Sequence, residues 1–181
     1  MAGGRAVTAS VGASALVRAN LADAHWLLEQ VVDGLTEGQL HWAPPGTANT
    51  IAATYAHVVA SEDLFVQETL RGGRPMAEGE WSGRHGISLS VPRRGADWLL
   101  WSRRVRVDLA AARAFAAAVY AASDDYLAGL DPDALARPPA AAVPGGQTLA
   151  WLLNNLLVQH AALHSGEVAV LRGLQGLQGL P

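Results

Sequence analysis

The chain has 181 residues, half of them apolar, which is enough to bury the core of one domain. A net charge of -3 and a pI near 6.0 give no basic footprint of the kind that neutralising nucleic-acid phosphates demands, so DNA and RNA are not expected partners. Cysteine is absent, which excludes disulfides, thiolate metal sites and a cysteine nucleophile together, so any thiol chemistry needs an external thiol.

Residues Ala6 to Val17 follow Arg5 but are rich in Gly, Ser and Ala and run into Arg18 and Asn20, whereas a secretory signal is greasier. The first helix is expected from about Ser14 to Asp33, with Leu16, Asn20, Ala24, Leu27 and Val31 on one inward stripe, and it ends at Gly34. His25 falls opposite that stripe and reads as solvated. Pro44, Pro45 and Gly46 mark a linker, after which Thr50 can cap a second helix from about Ile51 to Arg71.

Gly72, Gly73 and Pro75 open an irregular section reaching Pro92, too long for a simple bundle connection and therefore read as a functional lid or a mobile excursion. It carries Trp81 and His85, and Ile87 to Val91 alternates briefly in the manner of a strand. A third helix is expected from about Asp97 to Ala128 on the recurrence of Trp98, Trp101, Val105, Leu109, Ala112, Phe115, Val119 and Tyr126. Arginines 93, 94, 103, 104 and 106 read as a solvated face or a contact surface.

A Pro- and Gly-rich connection then leads to Thr148, the expected cap of a fourth helix running to about Arg172. Its apolar run is broken by Asn154, Asn155, Gln159, two histidines and Glu167, so it does not read as a membrane span. The expected fold is an all-α, four-helix bundle with long connections, one domain over 1–181 with flexible ends at 1–12 and 174–181, soluble and cytoplasmic.

His160 and His164 lie four residues apart, about 40° on a helical wheel, on one face and one turn apart. Leu149, Leu153, Leu156, Leu157 and Leu171 fall within about 60° of His160, so this face is the inward one, and Trp98, Trp101 and Trp151 fall at core spacings too. An inward imidazole needs a hydrogen-bond partner or a metal, since an unpaired buried polar group costs about 1–3 kcal/mol. Spacing alone leaves both readings open. His57, with Ala53, Ala60, Ser61 and Leu64 on its side of the second helix, makes a third inward imidazole geometrically possible.

The stretch Thr50-Ile51-Ala52-Ala53-Thr54-Tyr55-Ala56-His57-Val58, followed later by His160-Ala161-Ala162-Leu163-His164-Ser165-Gly166-Glu167-Val168, resembles the DinB/YfiT-like metalloprotein superfamily over nearly the whole chain. The second stretch carries the more specific pattern. The resemblance implies a bundle with His57, His160 and His164 as ligands to one divalent metal (zinc, nickel, iron or manganese) whose remaining positions are open to water or substrate. It also implies a small-molecule substrate, an external low-molecular-weight thiol in some relatives, and a homodimer.

Glu167 and Asn20 are the candidates for orienting groups around the ligands, and Gly166 is expected to permit close helix packing. The His160-to-His164 run lacks the Glu that a His-Glu-x-x-His protease uses as base, and no catalytic base is assigned. His41 and His85 sit in expected loops, with His85 the better placed to approach an open metal face. Two functional readings follow: a metal-dependent transferase, isomerase or hydrolase, or a metal-binding stress or interaction module without turnover.

Overall fold

A computed structural model describes residues 12–92, 98–139 and 145–180. Helix α1 (Ala13–Val32) is followed by a short α2 (Glu37–Leu40), and α3 (Ile51–Asp63) runs on without interruption into π-helical turns over Leu64–Leu70. After a 3-10 turn at Met76–Glu78 come α4 (Trp98–Arg104), α5 (Leu109–Ala128) and a second 3-10 turn at Pro132–Ala136. The last rod is continuous: α6 (Leu149–Leu153), π-helical turns over Asn154–Gln159, and α7 (His160–Leu174). The architecture is all-α, and among the described residues the only β pairing is an isolated antiparallel bridge between Ile87 and Val107.

Side-chain caps fix where the helices start. Thr50 accepts from the Ala53 N–H at 3.1 Å, Thr148 from Trp151 at 3.3 Å, and Asp108 from Ala111 at 3.2 Å, each satisfying a donor the helix leaves unpaired. Direction is then set by long-range bonds. The Arg172 guanidinium donates to the carbonyls of Val31 and Asp33, so α7 runs parallel to α1. The Arg18–Asp124 and Arg113–Glu29 ion pairs make α5 antiparallel to α1, and His25–Glu62 with Glu29–Tyr55 does the same for α3. Helices α3 and α5 are therefore parallel to each other, and the chain must return the length of the bundle between them. The long section that begins at Gly72 lies between them and includes the described residues 72–92.

The apolar core forms two clusters. One contains Leu28, Val32, Tyr55 and Phe115, and the other Leu21, Val66, Leu127, Leu153 and Leu157. A polar layer lies between them, because His25, Glu62 and Ser123 each follow a residue of one cluster and precede a residue of the other along their helices. Glu62 accepts from Ser123 Oγ at 2.6 Å and pairs with His25 Nε2 at 2.8 Å, and the His25 ring stacks on Tyr120 with centroids 3.7 Å apart. Nearby, Glu29 accepts from the hydroxyls of Tyr55 and Tyr120 and from Arg113.

Several expectations change here. His25 is buried, 7% exposed, because its partner Glu62 on α3 draws it inward. The α1 stripe is Leu21, Ala24, His25, Leu28 and Val31, which leaves Asn20 and Leu16 exposed. The expected third helix is two helices, broken at 105–108, where Val107 bridges Ile87 and donates its N–H to His41 Nε2. Its expected start at Asp97, together with Arg93, Arg94 and residues 1–11, lies outside the described residues. Trp151 and Leu156 are exposed, although Leu149, Leu153 and Leu157 of the same rod are buried as expected; Trp151 lies about 180° from His160 on the 100° wheel, on the outward face. The Gly-Leu-Gln tail folds back, with Gln178 accepting from Arg172 and Gln175 donating to Gln39.

The 72–92 section is pinned at both ends of its turn. Asp63, fully buried at the end of α3, accepts the N–H groups of Met76 (2.9 Å) and Ala77 (3.0 Å) through its two carboxylate oxygens. At Gly86 the backbone approaches the start of α5 so closely that an added Cβ would lie 2.7 Å from Asp108 O, and the positive φ of 72° suits glycine as well.

Candidate metal centre

Helix α3 presents His57 toward α7, and α7 presents His160 and His164 toward α3. One ring nitrogen from each lies within 4.8 Å of the other two. His57 Nε2 and His160 Nε2 are 3.0 Å apart, close enough that one donates its proton to the other. Ring centroids are separated by 4.8 Å (57 to 160), 5.0 Å (57 to 164) and 4.6 Å (160 to 164), and the rings stand mutually near-perpendicular, at 84°, 89° and 87°. Three imidazoles converge on a point from three directions. Ligand nitrogens about 2.0–2.1 Å from a tetrahedral zinc lie roughly 3.3 Å from each other, so the set fits one ion with only a small closing movement.

The far nitrogens are held as well. His57 Nδ1 bonds Ser61 Oγ at 3.1 Å, and His164 Nδ1 donates to the Glu167 carboxylate at 2.6 Å. The Glu167 bond leaves the Nε2 lone pair of His164 for the common point, and the Ser61 bond fixes the orientation of the His57 ring. Burial lowers the pKa of His57 to about 3, reinforced by His160 and His164, and that of His160 to about 4, reinforced by His164 and partly opposed by Glu62 and Glu167. Both rings are therefore neutral at pH 7, the state that ligates a metal.

His57 also lines a cavity of about 690 Å³ walled by Ala60 and Leu64 of α3, by Ile87 and Val91 of the long connection, and by Trp98. The Trp98 ring meets His57 edge-on at 4.9 Å. Asp63 and His85 lie on the same wall, and burial pushes the Asp63 carboxyl above its usual range. His85 Nδ1 accepts from the Ile87 N–H at 3.2 Å, which places its own proton on Nε2. A larger cavity, about 910 Å³, opens on the other side of the same section and shares His85, but contains none of the three clustered histidines.

The structure thus brings together His57, His160, His164 and Glu167, and it does not bring Asn20, which is exposed on α1. His41 is engaged elsewhere, its Nδ1 on the Glu37 carbonyl and its Nε2 on the Val107 N–H. An added Cβ at Gly166 would meet nothing within 4 Å, so this glycine serves no close packing within the chain. The sequence reading named Ser61 only as a small neighbour of His57. Its spacing of four residues, which puts a hydroxyl one turn from an imidazole, was the available signal for the bond.

No curated protein matches the chain. A conserved protein from Enterococcus faecalis of known crystal structure superposes with a TM-score of 0.75 over 91% of this chain and 98% of its own, at 19% identity, which shows a shared fold. The family model for the DinB superfamily matches residues 21–168, a span that takes in α3, the long connection and all three clustered histidines. The chain belongs to the DinB superfamily.

Proposed function

We propose that this protein is a metal-dependent enzyme of the transferase, isomerase or hydrolase type, acting on an electrophilic small molecule with water or an external low-molecular-weight thiol as nucleophile. The observation that supports this most is the cavity of about 690 Å³ against His57, one of three converging imidazoles. A structural zinc is closed off by four protein ligands, whereas three protein ligands leave a position for a reactant, and His57 joins the cluster to this cavity. His57, His160 and His164 would hold zinc, nickel, iron or manganese, and the bound ion would supply Lewis acidity that lowers the pKa of the nucleophile. Glu167 accepts the Nδ1 proton of His164 and keeps that ring in the ligating tautomer, Ser61 holds the His57 ring in place, and Trp98 and the 72–92 connection wall the cavity. No helix among the described residues is long and apolar enough to cross a membrane. The reading places the protein in the cytoplasm, where small thiols are kept reduced.

The test is elemental analysis of protein purified without added metal, followed by thiol-conjugation and ester-hydrolysis assays with and without a chelator. The expected result is bound divalent metal and turnover that the chelator abolishes. Metal-loaded protein inert toward every thiol and ester would instead favour a binding module without turnover.

A homodimer forms part of the proposal. Leu163 and Val170 lie seven residues apart on an exposed face of α7, Leu163 being 71% exposed, with Gly166 between them and Gly173 just beyond, and a Cβ added at either glycine would meet nothing within 4 Å. Glycine inside an exposed helix costs up to about 1 kcal/mol relative to alanine, a cost that close approach of a second helix would offset. Leu163→Glu is expected to convert dimer to monomer in light scattering with helicity unchanged. A variant that kept the dimer mass would rule out this interface.

A further inference from the structure

We infer that the cavity beside the histidine cluster is a subsite for an apolar acyl or aryl body, so that the substrate is a small molecule whose polar head faces His57 and whose hydrocarbon body lies against the long connection. This inference rests on the metal-centre reading for the role of the head group alone. The body's site is argued from the wall itself.

About 690 Å³ is in the range that holds most of the surface of a drug-sized molecule, far more than a water or a two-carbon reactant needs. Much of the wall is hydrocarbon: Leu64, Ile87, Leu89, Val91, Pro92 and Trp98. The polar groups nearest the histidines are already engaged. Both Asp63 oxygens accept backbone N–H groups, Ser61 Oγ is bonded to His57 Nδ1, His85 Nδ1 accepts from the Ile87 N–H, and Glu78 pairs with Arg74 at 3.9 Å. Leu89, 38% exposed, stands at the mouth beside Ser90, where an entering chain would first meet apolar surface. On α3, Ala60 stands on the wall one turn beyond His57, and its small side chain leaves the volume open.

Two measurements separate the subsite from the metal centre. In metal-free protein, the neutral fluorophore N-phenyl-1-naphthylamine is expected to brighten on binding, and Ala60→Phe, which fills the cavity, is expected to lower its affinity at least tenfold. Should that variant fail to fold, Leu89→Asp at the mouth is read in its place, with the same direction expected. In zinc-loaded protein, calorimetry compares acetohydroxamate with octanohydroxamate, which share a metal-binding head and differ in the length of the tail. The longer probe is expected to bind about a hundredfold tighter or more, since each buried methylene contributes about 0.8 kcal/mol, and Ala60→Phe should remove most of that gain while leaving acetohydroxamate affinity unchanged. Fluorophore binding that Ala60→Phe and Leu89→Asp both leave intact, or no fluorophore binding at all, overturns the subsite, as does equal affinity for the two hydroxamates. Protein that binds the fluorophore in the cavity but holds no zinc and neither hydroxamate keeps the subsite and defeats the metal centre.

Discussion

Replacing His160 or His164 with alanine is expected to weaken zinc binding by about two orders of magnitude or more while leaving the helical circular dichroism essentially native. Structural zinc in small four-ligand sites is held by roughly 10–16 kcal/mol, so one ligand in such a set accounts for about 3 kcal/mol, which is more than a hundredfold in affinity. Helicity survives because the rings are half-buried at the α3/α7 boundary, while α7 is anchored by Ala161, Ser165, Val168 and Leu171, none of which changes. Competition titration against a chromophoric chelator gives the affinity directly. A variant that kept stoichiometric metal with native affinity would remove that histidine from the ligand set.

The second large effect is on stability and lies away from the metal. Glu62→Ala is expected to cost about 3–5 kcal/mol, read as a lower urea midpoint with an unchanged slope. The Glu62 carboxylate is 2% exposed and is the shared partner of His25 on α1 and Ser123 on α5. Truncating it leaves an imidazole and a hydroxyl unpaired in the interior and opens a void between the two apolar clusters. The loss is a large part of the 5–15 kcal/mol that typically holds a domain together. A cost below about 1 kcal/mol would mean that water enters and satisfies both partners, and that the polar layer contributes little to holding α1, α3 and α5 in register.

How far the sequence could be read depended on whether the deciding contact was local. His160 and His164 share one unbroken stretch of α7, so the 100° step places them correctly, and the caps at Thr50 and Thr148 act within three residues of themselves. His25 could not be assigned this way: beside an apolar stripe it reads as solvated, and only Glu62, on a different helix, turns it inward. The break at 105–108 was hidden for the same reason. The apolar recurrence of Val105 and Leu109 continues through it, while the partners that hold Val107 extended, Ile87 and His41, are remote in sequence. Trp151 was misplaced for another reason: it was counted with the core aromatics although the 100° step puts it about 180° from His160, opposite the buried Leu149 and Leu153.

The π-helical turns have a bearing on how the centre tolerates change. Both ligand-bearing rods carry a widened spiral next to the histidines, over Leu64–Leu70 beyond His57 and over Asn154–Gln159 just before His160. Each acts as a phase adjuster: the rod segment beyond it can aim its leucines at the interior by one angular schedule while the imidazoles follow another. Losing a single residue from either spiral would swing the imidazoles by about a quarter turn relative to the leucines of the same rod, although every ligand was still encoded.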